Sequence, residues 1–330
     1  MRRSMLVATG VSVVLIAAGS LMPKWLLFLS TMAASNGLAV LGIFVLMRGG
    51  GASFGQGMFF AIGAYVAALA PQALGITDAV LRVGLGTVAA GLAAALFAPL
   101  LARYRGIFYA MLTLALSMVL FGLLSKSGAV GGSDGLTVAK PTLFGSGLPP
   151  ERVDVLLYSL TVVIGMLAAW GVTIYNGSVA GLRAQAVRAN ALRVEYLGAS
   201  ARVSLSVSFT ICGALGGIGG AITALVLGHV EPNFTDWTKS GEFVFVAVLA
   251  GHHSVAAVFV SSLLLEIVRS FSNLYFPHTW QLALGAFMLL VILFRPAGIG
   301  SLWSGWFKQR AVASKAATPA SAQASPGGHT

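Results

Sequence analysis

Three arginines recur at five-residue spacing, Arg183, Arg188 and Arg193, inside a polar segment between two long apolar runs. The segment, residues 178–202, is rich in helix-forming residues, and Gly198 would end the helix. In one continuous helix a five-residue step rotates the side chain by about 140°, so the arginines surround the axis. This distribution favours docking into a protein cleft over lying on a lipid surface.

A plainer interpretation of residues 178–202 remains open at this stage. A basic loop between two membrane spans is expected on the cytoplasmic side, because positive charge is retained there. The arginines would then serve only to orient the chain, and the segment would be an ordinary connector.

The sequence contains no pattern for covalent or acid–base catalysis. H-E-x-x-H, G-x-S-x-G and paired carboxylates are absent, so we predict no catalytic residues and no enzyme activity. Cys212 is the only cysteine, which excludes an intrachain disulfide and a cysteine metal cluster. We therefore predict neither a metal nor a bound cofactor. The glycine-rich residues 48–57 lack G-x-x-x-x-G-K-[ST], so the chain does not bring its own Walker-type ATPase.

Polar side chains within apolar runs are candidates for a translocation path. Asn36 lies in the apolar run 25–47, where an unpaired amide is costly and must face a partner helix or a wet path. Thr113 and Ser117 lie four residues apart on one helix face, although each hydroxyl could bond back to its own helix. The glycine-rich RGGGASFGQG stretch is either a plain turn or a broken segment of the kind that lines transport paths. The candidates for the path are Asn36, Ser53, Gln56, Thr113 and Ser117.

Composition places these residues in a membrane protein. The chain has 330 residues, of which 57% are hydrophobic and 9% charged, and its mean hydropathy is +0.90. A soluble protein carries about 25% charged residues. The net charge of +11 is spread over short loops between apolar runs. That spread is the pattern of chain orientation in a membrane, and it excludes nucleic acid as a partner.

We therefore predict an all-α, polytopic helical bundle with about eight to ten transmembrane segments, one of them broken or re-entrant. Residues 1–304 form the membrane domain, and residues 305–330 form a disordered cytoplasmic tail. Both termini are expected in the cytoplasm, with residues 1–22 as an uncleaved first span or, alternatively, a signal peptide. Residues 229–242 are expected to form an acidic external turn.

Glycine spacing predicts close packing of one span. Gly213 and Gly217 form a G-x-x-x-G pair that overlaps a second pair, Gly216 and Gly220. Small residues at this spacing let another helix approach closely. We expect packing, rather than ligand binding, to be their role.

Five stretches together resemble the permeases of branched-chain amino acid ABC importers, the LivM type. Two stretches are similar to family stretches of the membrane domain, GASFGQGMFFAIGAYVAAL and RYRGIFYAMLTLA. GGSDGL matches an external-loop motif, and LFRPAGI resembles the closing L-F-x-P-x-G-L. LRAQAVRANALRVEYLGA resembles the cytoplasmic coupling segment, although the family commonly has an acid at Ala189. A glycine-rich family stretch is also replaced at residues 250–261.

The resemblance implies a mechanism and a set of partners. Two ABC ATPase subunits would bind ATP, a second homologous permease would complete the pore, and a periplasmic substrate-binding protein would deliver the solute. The chain would be a multi-pass protein of the inner membrane, surrounded by lipid. The residues expected to couple to the ATPase are Arg183, Arg188, Asn190, Arg193 and Glu195.

An ion-coupled secondary transporter is the alternative. Such proteins usually keep charged residues at the bilayer midplane. The only acid well inside an apolar run is Glu266, and Arg269 follows it three residues later. We expect these two residues to neutralise each other near the outer boundary, which argues against ion coupling. The sequence does not identify the solute, which could be a branched-chain amino acid, urea or a small amide.

Overall fold

The computed structural model describes residues 10, 14–19, 22–142, 150–251, 254–275 and 279–294, and these residues are mainly helical. The helices are α1 (Lys24–Arg48), α2 (Gln56–Leu74), α3 (Ala79–Leu101), α4 (Ile107–Lys126), α5 (Pro150–Gly177), α6 (Val179–Ala189), α7 (Ala191–Tyr196), α8 (Ala201–Leu227), α9 (Trp237–Ala250), α10 (Val255–Tyr275) and α11 (Trp280–Phe294). The strands are β1 (Leu136–Thr137) and β2 (His229–Val230).

Seven helices of the described part, α1 to α5, α8 and α10, are long and apolar enough to cross a membrane. Helix α9 has 14 residues and α11 has 15, whereas a span needs about 20. The predicted polytopic helical bundle is thus confirmed. The expected first segment and residues 305–330 lie mostly or wholly outside the described residues, so the total of eight to ten spans stays a prediction.

The bundle has two chemically different ends. One, the basic end, carries Arg48 at the end of α1, Arg103 and Arg105 between α3 and α4, and helices α6 and α7. The other, the hairpin end, carries the antiparallel pair β1–β2, in which Leu136 faces Val230.

Helix α8 is the centre of the bundle and packs against α1, α2 and α3. Its glycines make this possible. A methyl group at Gly217 would overlap Ala90 of α3, and one at Gly220 would overlap the carbonyl oxygen of Phe60 in α2. One at Gly219 would lie 2.6 Å from the carbonyl oxygen of Ser35 in α1. The close packing predicted from the glycine spacing is confirmed, on three sides of one helix.

The prediction of a simple acidic turn at residues 229–242 was wrong. The segment forms β2, a 3-10 turn at Pro232–Thr235 and the first turns of α9. The 3-10 turn is buried, because Phe234 packs edge-to-face on Phe60 with ring centroids 5.5 Å apart. The carboxylate of Asp236 caps α9 by accepting from the Thr238 amide. The acids therefore flank an inserted turn.

Candidate functional site

The arginine-rich segment at the basic end forms two helices, α6 and α7, and not one. Asn190 separates them: it has extended backbone (φ −160°, ψ 103°) and its side chain accepts from the Arg193 amide at 3.0 Å. The five-residue rotation argument therefore fails across the break, since Arg183 and Arg188 belong to α6 and Arg193 to α7. The predicted stop at Gly198 is confirmed by its left-handed φ of +84°.

Many side chains of this segment are exposed to solvent. All five predicted coupling residues are exposed, and Glu195 forms an ion pair with Arg105 at 3.8 Å. Large apolar side chains are exposed beside them, including Leu192, Tyr196 and Leu197 at 66%, 88% and 81%. Val187 and Val194 are buried and pack with Ala201 at the start of α8. The outer surface is thus both basic and apolar, as expected of a protein-docking surface.

The inner side of the segment rests on the glycine-rich loop that follows α1. Gly50 has a φ of +83°, and a methyl group there would lie 3.1 Å from the Cα of Arg188. A methyl group at Gly49 would meet Ala184 of α6 at 3.6 Å. The positive φ and the tight contact therefore favour glycine at position 50, where the loop touches α6.

The Asn190 cap gives a first test of this geometry. Asn190→Ala removes the acceptor of the Arg193 amide, and losing such a cap costs about 1 kcal/mol. We expect hydrogen exchange at the α7 amides to become about fivefold faster. Asn190→Asp, which retains an acceptor, should leave the exchange rates close to those of the unmodified chain. Unchanged exchange in Asn190→Ala would contradict the assigned cap.

Gln56 joins three helices at the start of α2. Its amide nitrogen donates to the carbonyl oxygens of Ala39 in α1 at 2.8 Å and Cys212 in α8 at 3.2 Å. Its amide oxygen accepts from the Cys212 thiol at 3.0 Å. The side chain is fully buried, so its polar atoms are satisfied by the protein. We call this contact region of Gln56, Thr113, Ser117 and Ser240 the central junction.

The central junction lies deep in the bundle. Ala39 is nine residues before Arg48, which at 1.5 Å per residue is about 14 Å from the basic end. The hydrocarbon core of a bilayer is about 30 Å thick. The loop before α2 thus rises to mid-membrane and α2 begins there. Irregular backbone at this depth must be buried in protein or line a cavity, which agrees with the predicted broken segment.

Helix α4 supports this irregular loop. The hydroxyl of Thr113 accepts from the Phe54 amide at 3.1 Å and donates to the Ala110 carbonyl at 2.8 Å. The hydroxyl of Ser53 accepts from the Gly55 amide at 3.1 Å. The Phe54 and Gly55 amides, which have no helical acceptor in this loop, are thus satisfied by side-chain hydroxyls. The Thr113 hydroxyl thus bonds to a carbonyl of its own helix and also to the loop before α2.

Ser240 completes the junction and was missed from the sequence. Its hydroxyl accepts from the Gly57 amide at 3.0 Å, and the Ser117 hydroxyl donates to the Thr235 carbonyl at 2.7 Å. The inserted turn and α9 therefore meet α2 and α4 at mid-membrane. All predicted path residues of this junction are buried and hydrogen-bonded. Their role in translocation stays a prediction.

Asn36 bonds to Glu266 across α1 and α10, with 3.1 Å between the amide nitrogen and the carboxylate. A larger charged group adjoins them. Glu242 of α9 lies 3.1 Å from Lys239 and 3.5 Å from Arg269. Glu266 is close enough to Lys239 for the two opposite charges to attract each other. Arg269 thus pairs with Glu242 and Glu266 bonds to Asn36, so the expected mutual neutralisation of Glu266 and Arg269 stays a prediction. With Lys239 and Glu242 these residues form a group of two acids and two bases. The sequence does not predict this group, because residues 229–242 are expected there to form an external turn.

Two further features at the hairpin end involve charged residues. A cavity of about 460 Å³ lies between α1, α5 and α10, and its lining includes Lys24, Asp154 and Glu266 among apolar side chains. Arg82, which is fully buried, donates to the carbonyl oxygens of Ala67 at 2.7 Å and Ala139 at 2.9 Å. Arg82 thereby ties α3 to α2 and to the chain beyond β1.

The matches between the chain and known proteins point to one family. A family model described as the permease component of branched-chain amino acid transport systems matches residues 25–293. The chain is 30% identical over 270 residues to the high-affinity branched-chain amino acid transport system permease protein LivM of Escherichia coli K12. It is 30% identical over 271 residues to the protein of the same name from Salmonella typhimurium. Each alignment covers 74% of the chain but only 62% of the relative. No solved structure gives a significant match.

Proposed function

The chain belongs to the family of permease components of branched-chain amino acid transport systems, and we propose that it is the membrane-spanning permease subunit of an ABC importer. Its solute would be a branched-chain amino acid or a related small zwitterion, moved into the cytoplasm. The comparisons give no support to the ion-coupled alternative.

The observation that carries this proposal is the exposed coupling segment, α6 and α7. Arginines and large apolar side chains stand on its outer surface, while its inner side touches the loop at Gly49 and Gly50. A plain connector has no need of an exposed apolar surface on one side and a glycine contact on the other. An ATPase subunit is the partner that would cover the surface.

The contacts provide a route for the motion. A shift of α6 acts on Gly50, and the loop leads within a few residues to Phe54 and Gln56 at the central junction. The junction is shared by α1, α2, α4, α8 and the inserted turn. Closure of the ATPases on ATP would therefore reposition the mid-membrane segments. Alternating access requires such a ligand-dependent shift between two packed states.

The same proposal fixes orientation and partners. The basic end would face the cytoplasm, since retained positive charge marks that side, and both termini would lie there. Two ATPase subunits, a second homologous permease and a periplasmic binding protein would complete the complex in the inner membrane. ATP would be bound by the ATPases, and the chain itself would carry out no catalysis.

The solute side of the proposal rests on charge at the hairpin end. A free amino acid carries an ammonium and a carboxylate group. The 460 Å³ cavity presents Lys24 as well as Asp154 and Glu266, with Leu27 and Leu157 beside them. This mixture of both charges with aliphatic side chains suits a small zwitterion that has an apolar side chain. The binding protein would supply most of the selectivity.

Charge reversal on the coupling segment tests the proposal. We expect Arg183→Glu and Arg193→Glu each to leave the chain inserted, because acids contribute little to orientation. Each should lower co-purification of the ATPase or uncouple ATP hydrolysis from uptake. A loss of about tenfold in uptake corresponds to about 1.4 kcal/mol at the docking surface. Uptake of labelled leucine and ATPase yield are measured on the reconstituted complex.

Arg202→Glu is the matched control. Arg202 is exposed at the start of α8 and lies beyond α7, so its reversal should preserve both readouts. Unaltered ATPase yield and uptake in both coupling-segment variants would favour the plain-connector interpretation and remove the coupling role.

A further inference from the structure

A second cavity, of about 250 Å³, lies at the basic end behind the coupling segment. It is a half-open cavity between the glycine-rich loop after α1, the start of α4 and the α6–α7 break, and its lining includes Gly50, Gly106, Arg105, Arg188 and Asn190. Since a water molecule occupies about 30 Å³ of liquid, the cavity is large enough for a tetrahedral oxyanion.

The cavity is electropositive from two directions. Arg105 and Arg188 reach it from different parts of the chain, the α3–α4 turn and α6. No acidic residue lines it within the part of the chain that the structure describes. The acid nearest to this arrangement is Glu195, which pairs with Arg105 at 3.8 Å through side chains that are about half exposed. Such exposed pairs contribute only about 0–1 kcal/mol, so Arg105 remains available to a stronger anion.

The start of α4 adds backbone donors. Gly106 precedes this 20-residue helix, and no side chain caps it. The first amides of a helix lack internal partners and attract anions together with the helix dipole. Both Gly106 and Tyr109 of the first turn line the cavity.

Tyr109 supplies an independent indication of a ligand. Its side chain is 1% exposed, and its hydroxyl has no hydrogen-bond partner among the described residues. A buried hydroxyl without a partner is costly. A ligand in the cavity that Tyr109 lines would give the group an acceptor, either directly or through a water molecule.

From these observations we propose that the cavity is a phosphate-binding site. Its ligand is a phosphate group, either inorganic phosphate or the headgroup phosphate of an anionic phospholipid. Arg105 and Arg188 hold it by charge-assisted hydrogen bonds, and the first amides of α4 complete the site. Because one arginine belongs to the membrane domain and the other to α6, the bound phosphate fastens the coupling segment to the glycine-rich loop. The proposal does not depend on which solute the chain carries.

Direct binding to the full-length chain tests the site. After lipid removal in detergent, equilibrium dialysis with labelled inorganic phosphate should show one saturable site on the unmodified chain. Arg105→Gln combined with Arg188→Gln should weaken binding tenfold or more, because each charge-assisted bond contributes about 1.5–3 kcal/mol. Arg202→Gln is the charge-matched control and should bind like the unmodified chain. Arg105→Lys with Arg188→Lys retains the charge and should recover part of the affinity.

A second arm identifies the source of the phosphate. The unmodified chain and the double Gln variant are placed in nanodiscs with or without phosphatidylglycerol, and retained lipid is counted by native mass spectrometry. Retention that disappears in the double variant assigns the site to a lipid headgroup. Phosphate binding that persists in the presence of phosphatidylglycerol assigns it to the free anion.

Arginine modification tests the site without any substitution. Phenylglyoxal labelling of Arg105 and Arg188 in the unmodified chain should fall severalfold when phosphate or phosphatidylglycerol is present, while labelling of Arg202 should not change. If neither ligand protects these arginines, or if Arg202→Gln loses binding as strongly as the double variant, the proposed site is overturned.

Discussion

Gly220→Val is expected to prevent α8 from packing on α2. Even the first carbon of a side chain at this position would overlap the Phe60 carbonyl oxygen, which belongs to a helix backbone and cannot rotate away. The two helices would have to separate along their contact, and the Gln56 bonds to α8 lie along the same contact. We expect the free energy of unfolding to fall by more than the loss of about 1–3 kcal/mol that overpacking a core usually causes.

The measurement is fluorescence-detected size-exclusion chromatography of heated, detergent-extracted protein. Gly220→Val should give a lower midpoint temperature or no folded peak. Gly171→Val is the matched control, because Gly171 of α5 has no atom within 4 Å of the added carbon. Equal thermal stability of the two variants would show that α8 does not approach α2 as closely as the structure indicates.

The glycine contacts are the part of the fold that the sequence predicted best. Apolar runs of spanning length and the spacing of Gly213, Gly216, Gly217 and Gly220 are local patterns. They determine which segments form helices and which helix face can be approached. The identity of the partner helices depends on contacts distant in sequence, and no local pattern predicts it. In the structure α8 packs against α1, α2 and α3 together.

The inserted turn could not be predicted in the same way. Residues 229–242 contain three acids, and hydropathy assigns such a segment to the water phase. The structure satisfies the polar groups by contacts distant in sequence, such as those of Ser117 with Thr235 and of Gly57 with Ser240. The acids remain at its edges, where Asp236 caps α9. A cap signal followed by an apolar helix was the available indication of structure.

The candidate path residues show the same limit. Gln56 is a candidate because it lies in the glycine-rich stretch, and Thr113 and Ser117 because they share one helix face. The structure gives each of these side chains a hydrogen-bond partner. The partners of Gln56 are 17 and 156 residues away, beyond the range of any local pattern. For the coupling segment, Asn190 was the missed signal, since asparagine favours the N-cap of a new helix.

Glu242→Gln is expected to lower the stability of the protein strongly. Glu242 is the acid that contacts both Lys239 and Arg269, and its side chain is only 19% exposed. Its neutralisation leaves two bases and Glu266 inside the helical bundle. Removing one partner of a buried ion pair costs about 3–5 kcal/mol because the remaining charge is desolvated without compensation.

The double variant Glu242→Gln with Arg269→Gln separates this cause from lost packing. It removes one acid and one base, so Lys239 and Glu266 remain with balanced charge. We therefore expect its midpoint temperature in detergent to lie above that of Glu242→Gln alone, although two residues have been changed. If the double variant were as unstable as the single one, or less stable, charge balance among α9 and α10 would not be what stabilises this region.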